Sequence, residues 1–334
     1  MQKILRTLFV TASAALLSLP ASAEDAKRVI VCSVTTGFRH SSIGIAEKTL
    51  QKLADESKAF TIVDFVRQPE DKRMHKPNKP GDLRPDADAN AKTRYEAEMK
   101  KYEEAMAKWT PDVEAQAKAA EAKFNDDVKA SLSRLSPQNL TAQKIDGVIF
   151  ANTTGDLPLP DRDGFIKWIE DGHAFMGMHS ASDTFHGFPG YLDMLQGEFE
   201  THRAQVPVDL IIADREHPAT AGLPSTWNLQ QEEMYHIKHQ DRSKVHSLVY
   251  LRHDPNFVEQ MGFFPVAWCR EAGKGRVFYT SLGHREDLWS DDPTLGDRKN
   301  PVEISRLYQQ HILGGIKWAL GLATGSAQPN PEVK

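Results

Sequence analysis

The chain is poor in cysteine. Only two occur in 334 residues, Cys32 and Cys269, and no C-x-x-C pair is formed. A dithiol redox motif and a cysteine-based zinc module are thereby excluded. Both cysteines lie in apolar, strand-like runs and read as buried free thiols rather than a disulfide. An excess of positive charge is also lacking. The net charge of −5 gives no reason to expect nucleic acid as a partner. Beyond the N-terminus, no stretch is long and apolar enough to span a bilayer. The remaining composition, 40% hydrophobic and 26% charged, is that of an ordinary globular protein.

The first 23 residues stand apart. Lys3 and Arg6 precede an apolar run from Leu8 to Leu19, and Ala21-Ser22-Ala23 supplies small residues for cleavage. This pattern predicts a signal peptide over 1–23 and an exported, periplasmic or extracellular chain from Glu24, with no membrane span after cleavage.

From Arg28 the pattern is that of an α/β protein. A buried strand (Arg28 to Val34), an amphipathic helix capped at Ser41 or Ser42, and a second strand (Phe60 to Val66) suggest a parallel pair with a right-handed crossover. Residues 70–140 then break the pattern. Tyr95, Met99, Tyr102, Met106 and Trp109 form a heptad seam, and Thr110-Pro111 starts a second helix with Ala117, Ala120, Phe124 and Val128 on one face. A helical hairpin inserted between strands is expected, either a lid or docking arm or a solvated spacer. Strands resume at Gly147–Ala151 and in HAFMGMH, and later in VPVDLIIAD and VHSLVYL. A hairpin then turns at Ala272-Gly273-Lys274-Gly275, and a closing helix follows. The fold class is a doubly wound, mostly parallel α/β sheet over 24–325, with a flexible tail at 326–334.

In this architecture a site lies outside the carboxyl ends of the strands. Four polar clusters fall there: TTGFRH, NTTGD, HSASD and SLGHRED. They make His40, His179 and His284 candidate neighbours, although any one such histidine alone is more often structural. Imidazole carries protons near neutral pH and ligates metals. Gly177-Met178-His179-Ser180-Ala181 sets His179 between small residues, as in a nucleophile elbow, with Ser180 as an alternative nucleophile. Further on, Glu232, Glu233 and Tyr235 offer either acid–base groups or a solvated charged turn.

Together GFRH, DGVIFANTTGD, GMHSASDTF, GEFETH, HPATAGLP, EEMYHI, PVAWCREAGKGRVFYTSLGH and GGIKWALG resemble the ThuA-like family, named for trehalose utilisation, over roughly 28–68 and 143–321. The insertion departs from that family's compact pattern. The resemblance implies a fold similar to class I glutamine amidotransferases, with His179 where those enzymes carry cysteine. It therefore implies loss of that activity, since imidazole cannot form their thioester. It implies sugar metabolism, acting on a disaccharide or its 3-keto derivative. His179, His284, Glu233 and Asp183 are then expected to carry acid–base chemistry. Asn152, Thr153, Ser180, Tyr235 and Trp268 are expected to bind substrate, and His40 and His202 to complete a divalent-metal site. A non-catalytic carbohydrate-binding module, with Trp268 and Tyr235 as stacking faces, is the alternative. Another is a scaffold whose hairpin docks a partner oxidoreductase.

Overall fold

The computed structural model describes residues 26–256 and 261–333; the expected signal peptide lies outside them. In chain order the strands are β1 (Lys27–Cys32), β2 (Phe60–Val66), β3 (Gly147–Ala151), β4 (Ala174–Met178), β5 (Glu198–His202), β6 (Val206–Ile212), β7 (Thr226–Glu232), β8 (Tyr235–Lys238), β9 (His246–His253), β10 (Met261–Ala272) and β11 (Gly275–Thr280). The helices are α1 (Ile43–Ser57), α2 (Ala89–Ala107), α3 (Pro111–Leu132), α4 (Pro137–Ala142), α5 (Arg162–Glu170), α6 (Pro189–Leu195), α7 (Glu286–Trp289) and α8 (Val302–Ala319). None of the described helices is long and apolar enough to cross a membrane.

Nine strands form one mixed sheet in the order β2-β1-β3-β4-β11-β10-β9-β6-β7. The first five run parallel, as expected for a doubly wound fold. From β11 onward the pairings are antiparallel. The predicted hairpin joins β10 to β11, and Gly273 takes the positive φ of +60° that its two-residue turn requires. A separate two-stranded sheet pairs β5 with β8. Both of these short strands, and β7, escape a pattern reading because their polar residues read as loop.

Register is what places the site. Ala151, Met178 and Thr280 lie side by side at the ends of β3, β4 and β11. Their successors Asn152, His179 and Ser281 therefore form a row along one rim. Lateral bridges from Thr35 to Thr154 and from Gly155 to Thr184 stitch the loops above it.

The helical hairpin is present, and its two arms differ. Thr110 caps α3 by accepting from the Val113 amide, as its Thr-Pro start predicts. Phe124, Val128 and Leu132 of α3 join the core formed by β1, β3 and α5. No residue of α2 is fully buried, and its heptad seam is only half-covered. The tail, expected to be flexible, is pinned instead. Asn330 bonds both backbone groups of Ser247, and the His246 ring meets the Gln328 carbonyl at 2.6 Å. The thiols are buried and free, with Cys269 Sγ 3.5 Å from His217 Nε2.

Two outcomes follow for stability. Phe124→Ala should cost on the order of 3 kcal/mol in urea denaturation, whereas Tyr102→Ala on α2 should cost less than about 1 kcal/mol. His217 and His311 are buried, which depresses both pKa values to about 4. The unfolded chain, near 6.5, therefore takes up protons that the native state refuses. The part of the stability that these two rings contribute should be complete above pH 7, fall between about pH 6.5 and 4, and be absent below. His311→Gln should flatten that slope.

Candidate active site

His179 ends β4 in a sharp corner and is fully buried. Its φ of +50° is left-handed, a conformation that costs a residue with a side chain roughly 1–2 kcal/mol. The corner needs small neighbours. A Cβ on Gly177 would stand 3.0 Å from Tyr279 and 3.1 Å from Ala181. The conformation brings His179 Nδ1 to 2.8 Å from the Ser281 carbonyl. A carbonyl can only accept, so Nδ1 carries the hydrogen. Nε2 is left with its lone pair, facing the Tyr235 hydroxyl at 3.0 Å and His40 Nε2 at 3.2 Å.

His40 arrives on the loop between β1 and α1. Ser42 occupies the cap position of α1, but its hydroxyl turns away from the helix to the Gly283 carbonyl. Asn152, itself at φ +55°, donates to Ser42 Oγ at 2.9 Å and to the same carbonyl at 3.1 Å. On the far side, Glu232 at the end of β7 accepts from the Gly283 and His284 amides. These bonds fix the loop after β11 and carry His284 to the rim.

Glu233 completes the group. It is 4% exposed, and its three ion-pair contacts are all to imidazoles. Oε1 lies 2.8 Å from His202 Nδ1. Oε2 lies 3.0 Å from His284 Nδ1 and 3.8 Å from His179 Nε2. His284 Nδ1 is buried and not aligned for a hydrogen bond. One donor atom from each of His40, His179, Glu233 and His284 falls within 4.8 Å of all the others. Bonds of about 2.0–2.1 Å to a tetrahedral ion put neighbouring donors roughly 3.3 Å apart, so little movement is needed.

The electrostatics leave two of the three imidazoles ready to ligate and a proton favoured on the third. Burial, with His284 and His202 nearby, pushes His40 down to about 3. Burial and its neighbouring rings hold His179 well below the usual range. Both are neutral near pH 7, the state a metal requires. Burial also lowers His284, but the Glu233 carboxylate beside it more than offsets this, and its pKa is raised. Burial lifts Glu232 to about 7, against the opposing pull of the Gly283 amide.

The residues expected from sequence divide accordingly. His40, His179, Glu233 and His284 converge, with Tyr235 against them and Ser180 Oγ 3.3 Å from His40 Nδ1. His202, half-exposed at the rim, meets the group through Glu233 and lies 6.1 Å, centre to centre, from the Tyr235 ring. Asp183 points elsewhere, pairing with His186 at 2.5 Å in a cluster that includes Glu198. Asn152 and Thr153 are fully buried and hold the rim together; Thr153 meets Thr184 at 2.8 Å. Trp268 is a correction. It is fully buried, donates to the Leu195 carbonyl and packs where a Cβ on Gly197 would stand, so it offers no stacking face. Tyr235 is also buried and cannot stack on a ligand. The exposed aromatic is Phe38, whose ring meets His40 edge-on at 4.8 Å. Only its place in the first rim cluster signalled it.

A family model described as trehalose utilisation, ThuA, matches residues 95–319. The chain belongs to the ThuA family. The matched span holds His179, Glu233 and His284 but begins after His40, and it opens inside α2. Two ThuA-like proteins of solved structure share the fold. The one from Parabacteroides merdae has a TM-score of 0.56 at 14% identity, covering 93% of this chain and 99% of its own. The one from Bacteroides uniformis has a TM-score of 0.52 at 16% identity, covering 95% and 100%. Comparison with curated proteins gave no match.

The rim bonds can be tested directly. Asn152→Ala should lower stability by about 2–4 kcal/mol, from two lost buried hydrogen bonds and a strained φ. Asn152→Gly should cost roughly 1 kcal/mol less, because glycine relieves the φ. Chemical denaturation reads both.

Proposed function

We propose that this ThuA-family protein is an exported enzyme that binds one divalent transition-metal ion and acts on a disaccharide or its 3-keto derivative. The observation that carries the metal reading is Glu233. A buried carboxylate needs a compensating cation. Its ion-pair partners are imidazoles: His40 and His179 nearby are held neutral, and only the proton that Glu233 favours on His284 balances it, a proton that a bound metal would displace. A cation at the centre of the four donors satisfies Glu233, His284 Nδ1 and the facing Nε2 atoms at once. The donor set of three imidazoles and one carboxylate suits zinc, manganese, iron or their neighbours.

The roles differ from those assigned by sequence. His40, His179, His284 and Glu233 serve as ligands. The Ser281 carbonyl orients His179, and Ser180 orients His40. The bound ion would polarise a sugar carbonyl or hydroxyl oxygen. His202, at the mouth on Glu233 Oε1, is then the group placed to move a proton between substrate and solvent. Phe38 offers an apolar face to a sugar ring. The sugar assignment is supported by the family's name, and the export by the N-terminal sequence.

Glutamine hydrolysis lacks its nucleophile. Burial raises both thiols, Cys32 to about 12, and both are enclosed in the core. The binding-module alternative loses its stacking faces with the burial of Trp268 and Tyr235.

Elemental analysis of protein purified from metal-supplemented culture tests the reading. About one divalent ion per chain is expected, lost in His179→Ala and in Glu233→Gln. His202→Ala should keep the ion and lose at least about tenfold in turnover of trehalose or 3-ketotrehalose. An ion-free wild type, or an ion retained in His179→Ala, contradicts the proposal.

A further inference from the structure

A cavity of about 640 Å³ lies beside the histidine group, between the strand-end loops and α3 of the inserted hairpin. Its walls include Thr36, Gln68, Phe124 and Asn125, together with five cations and acids from the loops and Lys129 from α3. The volume is that of a small-molecule site. The loop from Thr35 to Arg39 forms one wall, and the next residue is His40, so cavity and histidine group share a partition.

The cavity is lined by three cations and three acids, but neighbouring cations outside the lining leave two of its own without an acid. Each of its carboxylates already has a cation of its own: Glu70 with Lys72 at 2.9 Å, Asp71 with Arg73 at 2.7 Å, and Asp156 with Arg162 at 2.7 Å. Glu47, the acid behind Arg39, is held by Arg67 at 2.6 Å and by Ser33 Oγ at 2.6 Å. Arg39 and Lys129 are left over. Arg39 Nη1 has only neutral partners, the Ser33 carbonyl at 3.1 Å and Gln68 Oε1 at 3.3 Å. Lys129 makes no ion pair among the described residues. Gln68 is fixed by Thr35, whose amide and hydroxyl donate to its Oε1 at 3.1 and 2.7 Å, so its amide nitrogen is the free end.

We infer that this cavity is a binding site for an anionic, polyhydroxylated small molecule, of the size of a sugar acid or sugar phosphate, and that the inserted helix α3 supplies its outer wall. Arg39 and Lys129 take the anionic group from opposite walls. A guanidinium pairs with carboxylate or phosphate oxygens through two parallel donors. Thr36, Asn125 and the Gln68 amide face the hydroxyls, and Phe124, steadied by the Arg73 guanidinium 4.0 Å from its ring centre, gives an apolar floor. This makes α3 part of a site rather than a spacer, independently of the metal reading.

Isothermal titration with gluconate and glucose 6-phosphate, against neutral glucose and trehalose, tests the inference. At least one anion is expected to bind at least tenfold more tightly than either neutral sugar. Arg39→Gln and Lys129→Gln should each weaken that binding by tenfold or more while leaving metal content at the wild-type level. No binding of either anion at millimolar concentration overturns the inference. So does equal affinity for glucose, or undiminished anion binding in the doubly substituted protein. Metal content is read on the same samples, so a failed metal proposal shows as ion-free protein that still takes the anion.

Discussion

The site depends on one strained residue. His179 is held at φ +50° where an L-residue is disfavoured, and it is kept there by the hydrogen bond from Nδ1 to the Ser281 carbonyl. That bond decides which nitrogen carries the proton, and so which nitrogen faces the centre. A histidine in the ordinary strand conformation would lie along β4 and could not present Nε2 to His40, Tyr235 and Glu233 together.

The rest of the rim is built to keep that geometry. In-register strand ends set Asn152, His179 and Ser281 side by side. Asn152 and Ser42 then hold the Gly283 carbonyl, and Glu232 holds the two amides that follow, so the loop after β11 is clamped from both sides. The two adjacent glutamates divide the work. Glu232 is spent on backbone amides, and Glu233 turns to the imidazoles. Through this pair β7, at the far edge of the antiparallel half of the sheet, reaches the site.

Much of this was legible in the residues. Apolar runs ending in polar clusters located His40, His179 and His284, because a parallel sheet delivers all its strand ends to one edge. The two-residue turn at Gly273 and the Thr-Pro helix start are local chemistry and read correctly. Glu233 was visible as a residue type, but its burial was not. The run TWNLQQEE is polar enough to read as loop, and the His179 and His284 rings that Glu233 meets lie some 50 residues away on either side along the chain. Trp268 was misjudged for the same reason. A tryptophan in a strand reads as buried or stacking until one knows that Gly197 leaves room for it. The unlike arms of the hairpin were hidden too, since both carry a seam and only tertiary packing distinguishes them.

X-ray absorption at the metal edge of the loaded protein tests the central claim most directly. The account predicts a first shell of nitrogen and oxygen near about 2.0–2.1 Å, with the outer-shell scattering of three imidazole rings. One ring should disappear from that pattern in His284→Ala. A shell of oxygen alone, without imidazole scattering, would contradict it.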